Sequence, residues 1–324
     1  MIAFVLIAMA AGSASALMFA SIISGALISL VLFYLAPLPL MVAALAWGPL
    51  CGSIGGIAAA ASLGAIFGLP YCLAFAITVA LPAWWLGHLV LLGRPVGGHA
   101  PDNDTSPTAS VVEWYPVGRI LLWIAGFAAL TTMAALLTLG TDAVSIIDAL
   151  RQFLLRILGQ HDGAAPDGET EQWIDRLVSV APAAAASVAM MTLTLNLWLA
   201  GKITATSGRL LRPWPDLKSA ALPPMTLAVL CAAIAFCFSG GLIAIGARIV
   251  ASALMLAYAF IGFAVLHTLS LALKNRAFWL GSAYAIAVVF GWPVLAMVAL
   301  GLADAVFGLR QRFSRSRPPP LPVP

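Results

Sequence analysis

The sequence predicts an all-α fold, a polytopic transmembrane helical bundle of about 9–10 spans with one or more of them short or re-entrant. Three observations carry that reading. Hydrophobic residues make up 62% of the chain and charged residues 9%, against the roughly one quarter charged that is usual in soluble domains. Residues 1–93 contain no Asp, Glu, Lys or Arg, so no soluble shell can be built over them. The apolar runs are long and lack a two-residue alternation. That excludes a membrane β-barrel and leaves helices, whose backbone satisfies itself in lipid.

Residues 1–93 form a four-span N-terminal helical unit, since they make about 140 Å of helix at 1.5 Å per residue. Its spans fall near residues 3–23, 26–46, 49–69 and 71–92, separated by turn signals at Ser24-Gly25, Trp47-Gly48-Pro49 and Gly68-Leu69-Pro70. Ala14-Ser15-Ala16 has the form of a signal cleavage site. No charged segment precedes it and the apolar sequence runs on, so an uncleaved first span is expected. Pro37 and Pro39 fall inside the second span, where a kink is tolerated if neighbouring groups re-satisfy the backbone. In the third, Gly48, Gly52, Gly56, Ala60, Gly64 and Gly68 recur every four residues. Such a ridge lets another backbone approach closely, either within the chain or on a partner subunit. The first span carries a weaker version in Ala8, Gly12, Ala16, Ala20 and Ser24, a spacing that an alanine-rich chain also makes by chance. The fourth ends in Trp84, Trp85 and His88 before Arg94, residues typical of the headgroup belt. His88 there is either interfacial or a ligand contact.

Residues 94–118 read as a cytoplasmic loop, and Trp114-Tyr115-Pro116 with Arg119 anchors a fifth span near 118–139. Residues 119–309 make a C-terminal helical unit. Its acidic external segment, 141–178, opens with Thr141-Asp142 capping an amphipathic helix that carries Val144, Ile147, Leu150, Leu154 and Leu158 on one face, an interfacial pattern. A break at 163–168 and a short segment at 169–177 lead to a sixth span near 180–200. Residues 201–222 form a cytoplasmic elbow. Lys202, Arg209, Arg212 and Lys218 there stand against one acid, Asp216, and Pro213-Trp214-Pro215 stiffens the exit. Spans near 225–244 and 249–272 follow. Residues 278–309, broken at Gly291-Trp292-Pro293, form two short helices or a re-entrant hairpin, with a single ninth span as the second choice. Residues 310–324 read as a disordered basic and Pro-rich tail.

Charge sets an orientation. With Arg94 and the elbow inside, Arg119, Lys274, Arg276, Arg310, Arg312, Arg315 and Arg317 fall inside too, as do both termini. Arg151, Arg156, Arg176 and Arg248 remain outside, beside the acids of 141–178. The expected location is a bacterial inner membrane. The pI near 9.1 follows from these helix-end cations and gives no reason to expect nucleic acid as a partner. Cys51, Cys72, Cys231 and Cys237 lie in apolar runs without a Cys-x-x-Cys pair and read as small buried residues, not a metal site or disulfide.

Polar residues inside spans are the candidates for function, because each is unfavourable in lipid unless paired. Asn196, with Thr192 four residues before it, lies in the sixth span; His267 ends the eighth; Asp304 lies in the last helix, within reach of an elbow arginine in this topology. Each serves either a structural hydrogen bond or a ligand. Arg209, Arg212 and Asp216 of the elbow, with Arg212 closing on Asp304 or Asp216, complete the set. No carboxylate pair, His-Glu-x-x-His, Gly-x-Ser-x-Gly or phosphate-binding loop is present, so neither an enzyme nor a cofactor is expected.

Several motifs are distinctive: Pro37-Leu-Pro39 with Trp47-Gly-Pro49, residues 81–88, residues 114–119, residues 196–201, residues 207–216, Gly262 to His267, and Gly301 to Asp304. Together they resemble the YybS-like family of uncharacterised bacterial multi-pass membrane proteins, over the chain from the first span to about residue 312. That family is distantly similar to the S components of energy-coupling factor vitamin transporters. The resemblance implies a small-molecule-binding subunit that docks through small-residue ridges on an ATPase-driven transporter module or another membrane protein. S components have about six spans, and none of their ligand residues matches a position here. The second reading is a membrane scaffold or assembly factor that engages cytoplasmic partners, or anionic lipid, through the elbow and tail. A pocket holding Asn196 or His267 and open to the outside would favour the first. Tight packing, with concave polar surface only around residues 209–216, would favour the second.

Overall fold

Apolar runs bounded by glycine and proline become helices in the computed structural model, which describes residues 1–96, 111–157, 168–216 and 220–315. The chain is an all-α polytopic membrane protein: among the described residues seven helical segments are long and apolar enough to cross a bilayer, and three shorter apolar helices accompany them. It divides into unit 1, Met1–Ile124 with Met191–Pro215, and unit 2, Ala125–Met190 with Asp216–Pro324.

Unit 1 is built on α1 (Ile2–Ala20), α2 (Leu27–Leu35), α3 (Pro37–Trp47), α4 (Pro49–Phe67), α5 (Leu69–Phe75) and α6 (Leu81–Leu91). The kink expected in the second span separates α2 from α3 at Ala36. A π-helical stretch, Ala76–Ala80, joins α5 to α6 just ahead of Pro82, whose missing N–H interrupts the ordinary ladder. The four-residue ridge needs correction at both ends. Gly48 and Gly68, at φ 95° and 92°, flank α4 as its caps, a left-handed conformation that favours glycine. Gly52 and Gly56 face other helices: a Cβ on Gly52 would lie 2.9 Å from Ala44 of α3, and one on Gly56 3.1 Å from Ala80. Gly64 faces Cys72 at 3.0 Å, and Ala60 is buried. The closest seam uses the adjacent row, where a Cβ on Gly12 would collide with the Gly55 carbonyl and one on Gly55 with the Ala8 carbonyl. Ala8, Cys51 and Ala43 fill the core beside that crossing. Phe19 meets Phe33 and Phe75 at centroid distances of 5.3 and 5.4 Å.

The 94–118 segment departs from a plain loop: β1 (Gly93–Val96) pairs antiparallel with β2 (Val111–Trp114), and the expectation for residues 97–110 lies outside the described residues. The helix α7 (Val117–Leu137) follows.

Unit 2 takes the second half of α7, then α8 (Ala143–Ile157) and the start of α9 (Gly168–Thr206). Residues 169–177, 180–200 and the first part of the expected elbow are thus one helix of 39 residues. The break expected at 163–168 lies mostly outside the described residues. Asp142 caps α8, its Oδ1 accepting from the Val144 and Ser145 amides at 3.0 Å. The face differs from expectation: Ile146 is fully buried with Leu136, Ala186, Ile245 and Ile249, and Leu150 packs on that cluster, while Val144 and Ile147 are exposed. Arg151 pairs with Asp175 and Glu171 at the start of α9. The hydrogen bond that Arg151 donates to Asp175, and then the charge of that carboxylate, raise the guanidinium pKa.

After α10 (Met225–Phe236) comes α11 (Gly241–Leu269), which begins earlier than the sequence suggested and carries Arg248 within it. Two short helices follow, α12 (Arg276–Phe290) and α13 (Val294–Phe307), broken at residues 291–293. The helix α12 folds back on α11: Arg276 reaches His267 and Ser270, and Tyr284 stacks on Phe263. Gly262 and Gly301 make the α11–α13 seam, where a Cβ on either would strike the backbone of Met297 or Tyr258. The expected tail begins as a helix, α14 (Leu309–Arg315); residues 316–324 lie outside the described residues. Of the cysteines, Cys51 is buried but Cys231 is exposed.

The seams make a sharp prediction. Gly262→Val drives a side chain into the Met297 carbonyl and destabilises the fold by about 2 kcal/mol or more, read as a lower unfolding temperature in detergent. Gly126→Ala, with nothing within 4 Å of the added Cβ, should leave it unchanged or raised. Equal melting of the two variants would sink the seam.

A second prediction concerns pH. The Ser145 backbone and hydroxyl, then the Val144 amide, hold the Asp142 carboxyl below its ordinary value. A lowered folded pKa gives stability that is present above the unfolded pKa and lost as pH falls through the folded one. Protection factors at Val144 and Ser145, which remove the intrinsic pH dependence of amide exchange, should therefore fall only as pH drops through and below the usual carboxylate range; a fall at higher pH would contradict the cap.

Candidate functional site

In unit 1 the elbow is an aromatic–cation lock. The helix α9 ends in a Schellman turn, with the Gly208 amide donating to Ala205 O at 3.1 Å and the Arg209 amide to Thr204 O at 2.9 Å. Gly208 sits at φ 68°, the left-handed position this turn requires. Lys202, Arg209 and Arg212 then each find an indole. Lys202 Nζ lies 4.1 Å from the Trp214 centroid and 5.9 Å from Trp198. The Arg209 guanidinium lies 4.7 Å from Trp47, and that of Arg212 5.9 Å from Trp114. Gly201 leaves room for Trp214, whose ring would sit 3.5 Å from an added Cβ.

Arg212 is 7% exposed and donates from Nη1 to Val90 O at 3.3 Å. That carbonyl belongs to the last turn of α6, where the helix dipole favours a cation. Burial pulls the Arg212 pKa down, and the helix end with the Trp114 face answers its charge in place of a carboxylate. The expectation that Arg212 closes on Asp216 or Asp304 is therefore corrected. These contacts place the ends of α3, α6 and α9 and the start of α7 at one face of unit 1. Lys218 lies outside the described residues.

Asn196 is fully buried. Its Nδ2 donates at 2.8 Å to Tyr34 O and to Thr192 O. Tyr34 lies in the turn that Pro37 and Pro39 interrupt, so Asn196 supplies a donor where the kinked ladder lacks one. His88 is half-buried, 5.9 Å from the Trp85 ring, which meets Trp123 edge-on at 5.1 Å.

In unit 2 the polar residues gather at two places. His267 Nε2 lies 2.8 Å from Tyr284 Oη, and Arg276 Nη2 3.4 Å from His267 Nδ1. Because guanidinium only donates, Nδ1 accepts and Nε2 carries the proton to Tyr284 in the neutral ring. Arg276 also reaches the Ser270 hydroxyl, which ties the α11–α12 corner.

Asp304 pairs with Arg310, not with an elbow arginine. Arg310 Nε and Nη2 donate to Asp304 Oδ2 at 2.9 and 2.7 Å, its amide to Oδ1 at 2.9 Å, and Nη1 to Ala220 O at 2.8 Å. The two side chains are only 8% and 13% exposed. Gly308 reverses the chain between them, its amide donating to Asp304 O. Asp216 and this pair line one cavity of about 890 Å³, together with Pro223, Pro224, Leu227, Tyr258, Ile261, Thr268, Val306, Phe307 and Gln311.

Sequence reasoning missed Arg310, Tyr258 and Gln311. Arg310 follows an Asp and a Gly at the spacing of a helix end, but its basic, Pro-rich surroundings read as a tail. Tyr258 looks like any aromatic in an apolar run. In comparisons with known proteins, no family model, curated protein or solved structure matches the chain.

The corner can be tested by a double-mutant cycle. Breaking a buried pair from one side costs about 3–5 kcal/mol. Arg310→Gln and Asp304→Asn should each lower the unfolding temperature sharply, and the double variant should recover much of the loss. Additive losses would show that the two groups act independently.

Proposed function

We propose that this integral membrane protein is a docking subunit, a scaffold or assembly factor of the bacterial inner membrane that binds a partner protein and performs no catalysis. One observation carries the reading. Within the spans, Asn196 commits its amide hydrogens to Tyr34 and Thr192, with only its buried Oδ1 lacking a partner among the described residues, and His267 is bonded to Tyr284 and Arg276, whereas a cavity with polar groups opens beside Asp216 and Asp304. Among the described residues, that cavity is lined by two carboxylates and one guanidinium beside Leu227, Ile261, Val306 and Phe307. Such a surface suits a partner segment that brings an apolar anchor and a basic group. On the orientation argued from charge, it faces the cytoplasm.

The resemblance to the YybS-like family supplies a rival, a solute-binding subunit driven by a partner ATPase. That reading asks for a solute site at Asn196 or His267 and a free small-residue ridge. Gly52, Gly55 and Gly56 instead lie against Ala44, Ala8 and Ala80.

A photo-crosslinking residue at Leu227 or Gln311 decides between them. The docking reading expects a discrete protein adduct that is lost in Asp216→Lys and retained in Arg248→Gln. Copurification of an ATP-binding-cassette subunit together with a bound small molecule, without an adduct at the cavity, would overturn it in favour of solute binding.

A further inference from the structure

The face of α9 in unit 1 carries a pattern separate from the cavity. Met191, Leu195 and Trp198 are 56%, 50% and 46% exposed. With Lys202 they fall at i, i+4, i+7 and i+11, one stripe of a 3.6-residue helix. At 1.5 Å per residue the stripe is about 16 Å long, the depth of one leaflet of a hydrocarbon core about 30 Å thick. An apolar rail thus leads from the middle of the span to a single ammonium group.

At its end the rail changes character. The Lys202 ammonium is bracketed by Trp198 and Trp214 at 5.9 and 4.1 Å. Trp214 is 41% exposed, and Arg209, seven residues further on, stands on Trp47. Among the described residues, neither Lys202 nor Arg209 has a carboxylate within ion-pair distance. An indole attracts the cation through its face and narrows its rotamers, yet it leaves the N–H donors on the other side unmatched. A donor set prearranged at headgroup depth, above an exposed apolar stripe, is the complement of a molecule with a phosphate at one end and an acyl chain at the other.

We propose that α9 and the elbow form a binding site for one anionic phospholipid, its acyl chain along Met191, Leu195 and Trp198 and its phosphate on Lys202, with Arg209 as the second cation. The site is independent of the docking reading, since none of these residues lines the unit 2 cavity.

Native mass spectrometry of the full chain in mild detergent tests it, with phosphatidylglycerol and phosphatidylcholine of identical chains as probes. One phosphatidylglycerol adduct should persist at collision energies that strip phosphatidylcholine. Lys202→Gln should lower that preference about fivefold, as expected for losing one surface cation; Lys202→Arg should keep it, and Arg248→Gln, on α11, should not change it. Leu195→Asn, which alters the rail and leaves the cations in place, should weaken retention of both lipids. Equal retention of the two lipids would overturn the proposal, as would an unchanged preference in a Lys202→Gln protein that melts like the wild type. Full displacement of the adduct by millimolar glycerol phosphate would overturn it in favour of a free-phosphate site. A doubled mass without lipid would overturn it in favour of a second copy of the chain on the stripe.

Discussion

Among the described residues, helix backbones meet most closely at two crossings, and the packing of each unit depends on them. In lipid there is no hydrophobic drive to bring helices together, so association rests on dispersion and on how closely main chains approach. In unit 1 the approach is Gly12 and Ala8 against Gly55; in unit 2 it is Gly262 and Gly301 against Met297 and Tyr258. At each crossing a methyl group would overlap a carbonyl. Such contacts tolerate no side chain and fix the helix pair in register. Their neighbours then fall into place: Ala44 lies in a notch between Gly52 and Gly87, and Tyr258, 1% exposed, packs beside Gly301.

Close packing of this kind leaves little room for water, so any backbone irregularity must be satisfied by protein. That requirement accounts for Asn196 and for three arginines at helix ends. Asn196 answers the proline-interrupted turn at Tyr34, Arg212 the open end of α6, and Arg276 the His267 carbonyl near the end of α11. Arg310 joins the corner after α13 to the Ala220 carbonyl. In each case a long-range donor repairs a place where a helix ends or kinks. The repairs occupy both donor positions of Asn196, which resembles part of a solute site in the sequence, and leave only its buried Oδ1.

The all-helical membrane architecture was legible because it rests on local signals. Glycine and proline at 48–49 and 68–70 mark turns whatever surrounds them, and a run without charge from Met1 to Gly93 has one solvent that suits it. The kink at Pro37 and the cap at Asp142 are likewise written within a few residues. The partners were not. Gly55 lies one residue before Gly56, and which row of small residues on α4 meets α1 depends on the placement of both helices. Asp304 with an elbow arginine and Asp304 with Arg310 satisfy the same rule of charge, and the second needs only a chain reversal at Gly308. The acids of 169–177 read as an external segment, although a helix carries them without interruption into the span.

The described cations are held in two ways, and the difference matters more than the count of charges. Arg94, Arg151 and Arg310 meet carboxylates; Lys202, Arg209 and Arg212 of the elbow, like Arg176, meet indoles. An ion pair cancels the field of both groups and requires two desolvations. A cation on an indole keeps its net charge, because the ring offers a quadrupole and not a counter-ion. The first arrangement locks a corner and hides its charge from outside. The second holds a side chain more weakly, but its field still reaches an anion at the membrane surface. A lock made of tryptophan therefore leaves the elbow able to bind, whereas a lock made of aspartate would not.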